Sequence, residues 1–223
     1  MFIGHFGVAL GVKRWAPRTS LGTLFFAAEF LDLIWPVLLL LDVEHVRVAP
    51  GITRMQPFDF YDYPISHSLV TAILWGAAVG GVYFAVRRYR AGAIALGLLV
   101  VSHWVLDFIV HRPDMPLWPG GDKVGLGLWN SWPAGITVEV LTFGIGIALY
   151  RGATRARDAV GIYGLWSMLA LLLFGWLGVL FGPAPPDSRS LALSSLGLWI
   201  ALPWGWWVDR HRTYSVGEVV KTI

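Results

Sequence analysis

The sequence predicts an all-α protein: a polytopic transmembrane helical bundle of about six spans plus a short N-terminal apolar helix. Three observations carry this reading. Of the 223 residues, 56% are hydrophobic and only 14% charged, where a soluble domain runs near 45–50% apolar and about 25% charged. The mean hydropathy is +0.62. Six apolar segments are each close to the length of about 20 residues that carries a helix across a bilayer. Basic residues then alternate between richer and poorer loops along the whole chain. This balance excludes a disordered chain, a nucleic-acid-binding basic domain and an ordinary soluble enzyme.

The elements follow in order. The stretch Phe2 to Val12 is apolar but too short to span. Its basic residues, Lys13, Arg14 and Arg18, follow it, so it does not read as a signal peptide and residue 1 is kept in the mature chain. The spans cover roughly 21–41, 67–86, 91–111, 134–150, 159–182 and 190–208. Segments 13–20, 87–90, 151–158 and the chain after 209, with Arg210, Arg212 and Lys221, are the basic-rich connections. The positive-inside rule puts these in the cytoplasm, with both flanks of the chain, and the long loops 42–66 and 112–133 outside. Both long loops are rich in Pro, Gly, Asp and aromatics, and Trp118, Trp129 and Trp132 suit the membrane interface. Pro183 to Pro186 breaks the helix between the last two spans. No internal repeat is visible, and residues 1–223 read as one integral membrane domain.

With no cysteine in the chain, any metal must be held by His, Asp and Glu. Charged groups at bilayer depth cost about 2.5–3.5 kcal/mol even on insertion scales, so each needs a partner or a purpose. Four acids fall within spans: Glu29, Asp32, Asp107 and Glu139. His67, His103 and His111 lie in or at the end of spans, and His5 in the N-terminal stretch. No Lys or Arg lies deep in the first four spans. A bound cation is the simplest compensation; protonated acids are the rival. His103, Asp107 and His111 stand at i, i+4 and i+8 and share one stripe. An imidazole and a carboxylate on one face suit Zn²⁺, Mn²⁺ or Fe²⁺. Glu29 and Asp32, at i and i+3, also share a face. Asp32, His67, His103 and Glu139 all fall in the outer half and can converge on one cavity. His5 joins them if its stretch rises from the cytoplasmic side. The rival reading of His67 is a residue near a helix N-terminus with Ser66 as the cap.

Four blocks occur in order: Gly4-His5-Phe-Gly-Val-Ala-Leu; Phe30-Leu-Asp32-Leu-Ile-Trp-Pro36; Ile65-Ser66-His67-Ser68-Leu; and Ser102-His103-Trp-Val-Leu-Asp107, with Pro116-Leu-Trp-Pro119 downstream. This resembles the YdjM-like family of bacterial inner-membrane proteins, described as membrane-bound metal-dependent hydrolases. The resemblance covers residues 4 to about 119. It implies that His5, Asp32, His67, His103 and Asp107 take the family's metal-site positions. The chain departs from the family pattern at Ile34 and Trp35, where the family has Asp and His. It departs again at Asp62, Tyr63 and Pro64, where the family has His-Arg-Gly, and Ser66 replaces Thr.

The resulting expectation is a bacterial inner-membrane hydrolase with a His/Asp site, opening outward, for a divalent metal, zinc first. Its substrate would be an amphipathic or lipid-like ester or phosphoester. Glu139 or Glu29 would serve as general base and His111 as a further ligand. Two other readings use the same residues: a proton- or cation-coupled transporter, and a non-catalytic membrane protein with a degenerate site. No Gly-x-Ser-x-Gly elbow, phosphate loop or dinucleotide fingerprint is present.

Overall fold

A computed structural model describes residues 1–215; Lys221, counted above with the basic C-terminal flank, lies outside them. The chain opens with α1 (Ile3–Val12), then α2 (Leu21–Ala28) and α3 (Phe30–Leu40). A hairpin, β1 (His45–Val48) with β2 (Phe58–Asp62), and the single turn α4 (Pro64–His67) lead into α5 (Leu69–Arg87). After α6 (Arg90–Val110) come a short pair, β3 (Met115–Pro116) with β4 (Lys123–Val124), and a 3₁₀ turn at Leu128–Asn130. The remaining elements are α7 (Trp132–Ala153), β5 (Thr154–Ala156), α8 (Ala159–Phe181), α9 (Ser188–Ser195), a 3₁₀ stretch Leu196–Ile200, α10 (Ala201–Arg210) and β6 (Arg212–Tyr214).

Helices α5, α6, α7 and α8, and the composite stretch Ser188–Arg210, are long and apolar enough to cross a membrane. They carry outward-facing apolar side chains such as Leu74, Leu98, Ile145 and Phe174. Helices apolar on every face are what a hydrocarbon solvent requires. The expected first span is not one straight helix. It is α2 and α3, bent by 56°, and counting the pair as one span gives the expected six. The joint is Glu29, whose backbone leaves helical geometry at φ −96°, ψ 4°. Pro36, inside α3, has no N–H to offer the Asp32 carbonyl, so the first turns of α3 are weakly tied and yield to packing. Five helices begin with a side-chain cap: Ser20, Ser68, Ser131, Asp158 and Asp187 each accept from an N–H of the first turn, which sharpens where each starts.

In lipid there is little hydrophobic drive between helices, and close packing of small residues does much of the work. Helix α1 is nearly all buried and lies against α7, where Gly7 and Gly146 put the two backbones in contact. Helix α2 meets α10 in the same way at Gly22 and Gly205. The short α1 is therefore a central helix that ends at mid-bundle, not an interfacial one.

The loops sort to two ends. At one, Arg18 stacks on Tyr89, β5 pairs with β6, and the Tyr214 hydroxyl donates to the Arg14 carbonyl. All four basic-rich connections meet there. Lys13 is buried at this end and pairs with Asp209 at 2.7 Å, while its ammonium also donates to the Thr19 carbonyl. At the other end the two long loops are tied together: Arg112 pairs with Asp59, and Lys123 donates to the Tyr61 carbonyl. The three strand pairs have no signature in the alternation of the loops: β1–β2 and β3–β4 each form within one long loop, and β5–β6 joins the connection after α7 to the segment after α10. In β1, His45 is bonded to Asp62 at 2.8 Å, which raises the imidazole above its ordinary pKa.

Candidate functional site

The donors expected from the sequence converge in the half of the bundle nearer the long loops. Helix α6 supplies His103 and Asp107 one turn apart, α3 supplies Asp32, and α4 supplies His67. Around one point, the His67 Nε2 lies 3.3 Å from Asp32 Oδ1 and 3.8 Å from Asp107 Oδ2. The His103 Nε2 lies 3.8 Å from Asp32 Oδ1 and 3.2 Å from Asp107 Oδ2. A tetrahedral ion with bonds of about 2.0–2.1 Å needs ligand atoms about 3.3 Å apart; these four separations are of that order, and two overlapping trios, His67–His103–Asp107 and His5–Asp32–His103, each bring their donor atoms within 4.8 Å of one another.

The far sides of both imidazoles are fixed. His103 Nδ1 is 2.7 Å from the Ala28 carbonyl; a carbonyl only accepts, so Nδ1 carries a proton and Nε2 is the nitrogen turned to the carboxylates. That Nε2 is buried and has no hydrogen-bond partner. His67 Nδ1 is 2.6 Å from the Ser66 hydroxyl, which in turn is 2.6 Å from Glu44. The hydroxyl has one proton and the carboxylate only accepts, so Ser66 donates to Glu44 and receives from Nδ1. His67 Nε2 is then the nitrogen turned to the carboxylates. Two imidazoles whose Nε2 atoms face two carboxylates form a donor set that a metal ion can use, and partners on the second nitrogen are usual in such sites.

Of the remaining expected residues, His5 joins the cluster, its donor atom within 4.8 Å of those of Asp32 and His103, while Glu139, Glu29 and His111 lie apart from it. His5 stacks flat on His103, with ring centroids 3.7 Å apart, and its Nε2 faces the other Asp107 oxygen at 3.2 Å. That same oxygen is paired with the Met1 amino group. Glu139 lies beside α1: its carboxylate accepts from the backbone N–H of Phe2 and of Gly4, each at 2.9 Å, so it caps that helix and meets its positive dipole end. Glu29 is buried at the α2–α3 joint with Oε1 unpartnered; the bend turns it from the face it was expected to share with Asp32. His111 leaves the expected stripe because α6 ends at Val110 and His111 takes extended geometry. Its Nδ1 bonds Asp114 Oδ1 at 3.0 Å, the Tyr63 hydroxyl donates to the same oxygen, and Arg112 donates to Oδ2. Burial beside Asp114 pushes the Tyr63 phenol well up. One other expectation changes: Ser68, not Ser66, caps the helix after His67. Trp129 is buried against His111, centroids 4.2 Å apart.

Asp32, His67 and Asp107 form the floor of a chamber of about 850 Å³, while the fully buried His103 does not reach its wall. Asp32, Trp35, His67, Asp107, His111 and Glu139 line its polar end; α8 and the stretch from α9 to Ala201 form an apolar wall. Of the four donors Asp32 is the most open, its side chain 25% exposed. Sequence reasoning missed Glu44, Ser66 as a His67 partner, and Asp114. Ser66 beside His67 was a visible signal, but Glu44 is reached only through the folded hairpin.

Fold and site together define a polytopic helical membrane protein with a buried two-histidine, two-aspartate cluster facing a membrane-depth chamber. The model of the YdjM inner membrane protein family matches residues 56–184, more than half of the chain, and the chain belongs to that family. The matched region holds His67, His103, Asp107 and Glu139; His5, Glu29 and Asp32 precede it. No curated protein matches, and no solved structure matches.

Proposed function

We propose that the chain is a metal-dependent hydrolase of the inner membrane, acting on an amphipathic or lipid-like ester or phosphoester. The observation that supports this most is the buried His103 Nε2, which makes no hydrogen bond yet is held 3.2 Å from a buried carboxylate oxygen. Left empty, that arrangement carries an unsatisfied buried group, which costs roughly 1–3 kcal/mol.

His67 and His103 would hold the ion through Nε2, and Asp32 and Asp107 through one oxygen each. The donors favour zinc and also accept manganese or iron. When bound, the metal supplies Lewis acidity, polarising the scissile carbonyl or phosphoryl group and acidifying water. His5 engages the other Asp107 oxygen and fixes which oxygen faces the ion. Trp35 packs its ring edgewise on His67, centroids 6.4 Å apart, and fills space beside the donors, which favours one ion over two. Asp32 marks the open side from which substrate approaches. Of the two expected general bases, Glu139 lines the chamber and Glu29 does not, so Glu139 is assigned the proton.

Elemental analysis of detergent-purified protein tests the reading. Near-stoichiometric divalent metal is expected, lost in H103A and D107A and kept in H45A, whose histidine lies in the β1 hairpin. Equal metal content in all four proteins would overturn it.

A further inference from the structure

The chamber has a second polar feature, far from the donors in chemistry. Arg54, on the β1–β2 connection, lines it and is exposed. Among the described residues it is the only Lys or Arg side chain on the wall, and it makes no ion pair or side-chain hydrogen bond. Of the other two long-loop arginines, Arg112 is paired with Asp59 and Asp114, and Arg47 lies over the Tyr61 ring. An unpaired guanidinium at the mouth of a largely apolar chamber is complementary to an anionic group.

The apolar wall is open sideways. Leu171, Val179 and Ile200 line the chamber and are also exposed. Gly178 on α8 and Gly197 on the 3₁₀ stretch line it too, and a Cβ at either would meet no atom within 4 Å. The gap between α8 and the Ser188–Arg210 stretch is thus open and largely apolar, with Ser190, Ser194 and Ser195 among its lining, and it is flanked by helices long and apolar enough to cross a membrane.

We propose that the chamber takes an anionic membrane lipid, its headgroup charge held by Arg54 and one acyl chain lying past Gly178 and Gly197. This deepens the hydrolase reading by naming its substrate class, and rests on that reading for the bond that is cut, but not for the binding.

The test is native mass spectrometry of the full-length protein in detergent. The probes are palmitoyl-oleoyl phosphatidylglycerol, the phosphatidylcholine of the same chains, and glycerophosphoglycerol, the anionic headgroup without chains. The expected result is one retained phosphatidylglycerol, favoured over phosphatidylcholine about tenfold, with no competition from glycerophosphoglycerol. R54Q should erase the preference. G178W, whose ring enters open space, should lower retention of both lipids. Equal retention of the two lipids by the parent protein, or a preference that survives R54Q, overturns the role of Arg54. Undiminished retention in G178W overturns the chain path, and competition by glycerophosphoglycerol shows a site for a free phosphoester instead of a lipid. Metal content of the same samples separates the two proposals. Metal without an Arg54-dependent preference sinks only this one, and the preference without metal sinks only the hydrolase.

Discussion

Ser66 sets the state of His67 without touching the point where the donors meet. Its hydroxyl accepts a hydrogen bond from the Nδ1–H and donates its own proton in a hydrogen bond to Glu44, which turns Nε2 toward the carboxylates. Ser66→Ala removes that acceptor and frees the ring to turn. Metal affinity should fall about 10–100-fold, read by competition with a chromogenic chelator, and Ser66→Thr should restore most of it. At this scale the sequence showed His103 and Asp107 as a pair because four residues make one helical turn, and it showed Asp32 and His67 because polar groups are costly in apolar segments. It misassigned His111 because periodicity does not reveal where a helix stops. Helix α6 ends one residue early, and His111 turns to Asp114. Glu44 stayed hidden because it is 22 residues from Ser66 across a hairpin that hydropathy does not register.

Among the elements, the break at Glu29 and the length of α1 decide where the donors stand. The bend frees the Ala28 carbonyl end of α2 to meet His103, while α3 carries Asp32 to the same place. Hydropathy sees only a continuous apolar run there, so the span was legible and its bend was not. Helix α1 is anchored at its far end by Lys13, which sequence reading placed among ordinary loop charges although it is buried against Asp209. Asp209→Ala strands that ammonium and should cost roughly 3–5 kcal/mol, seen as a lower melting temperature in detergent. A Lys13→Met, Asp209→Leu double variant should lose markedly less, because no charge is left unpaired.

Across the whole molecule the six-span count was legible from the alternation of basic loops, and the gathering of all four basic connections at one end agrees with it. Because the chain has no cysteine, single-cysteine labelling tests sidedness directly. With basic loops inside, G120C should react with an impermeant maleimide in intact cells, and R155C only after the membrane is opened; the reverse pattern would invert the topology. The open flank between α8 and the last span has a kinetic meaning. A ligand arriving through that flank comes from the leaflet, so its supply follows its mole fraction among neighbouring amphiphiles, not its concentration in the surrounding water. Adding inert detergent would then slow encounter by two-dimensional dilution, even with the total amount of ligand held constant.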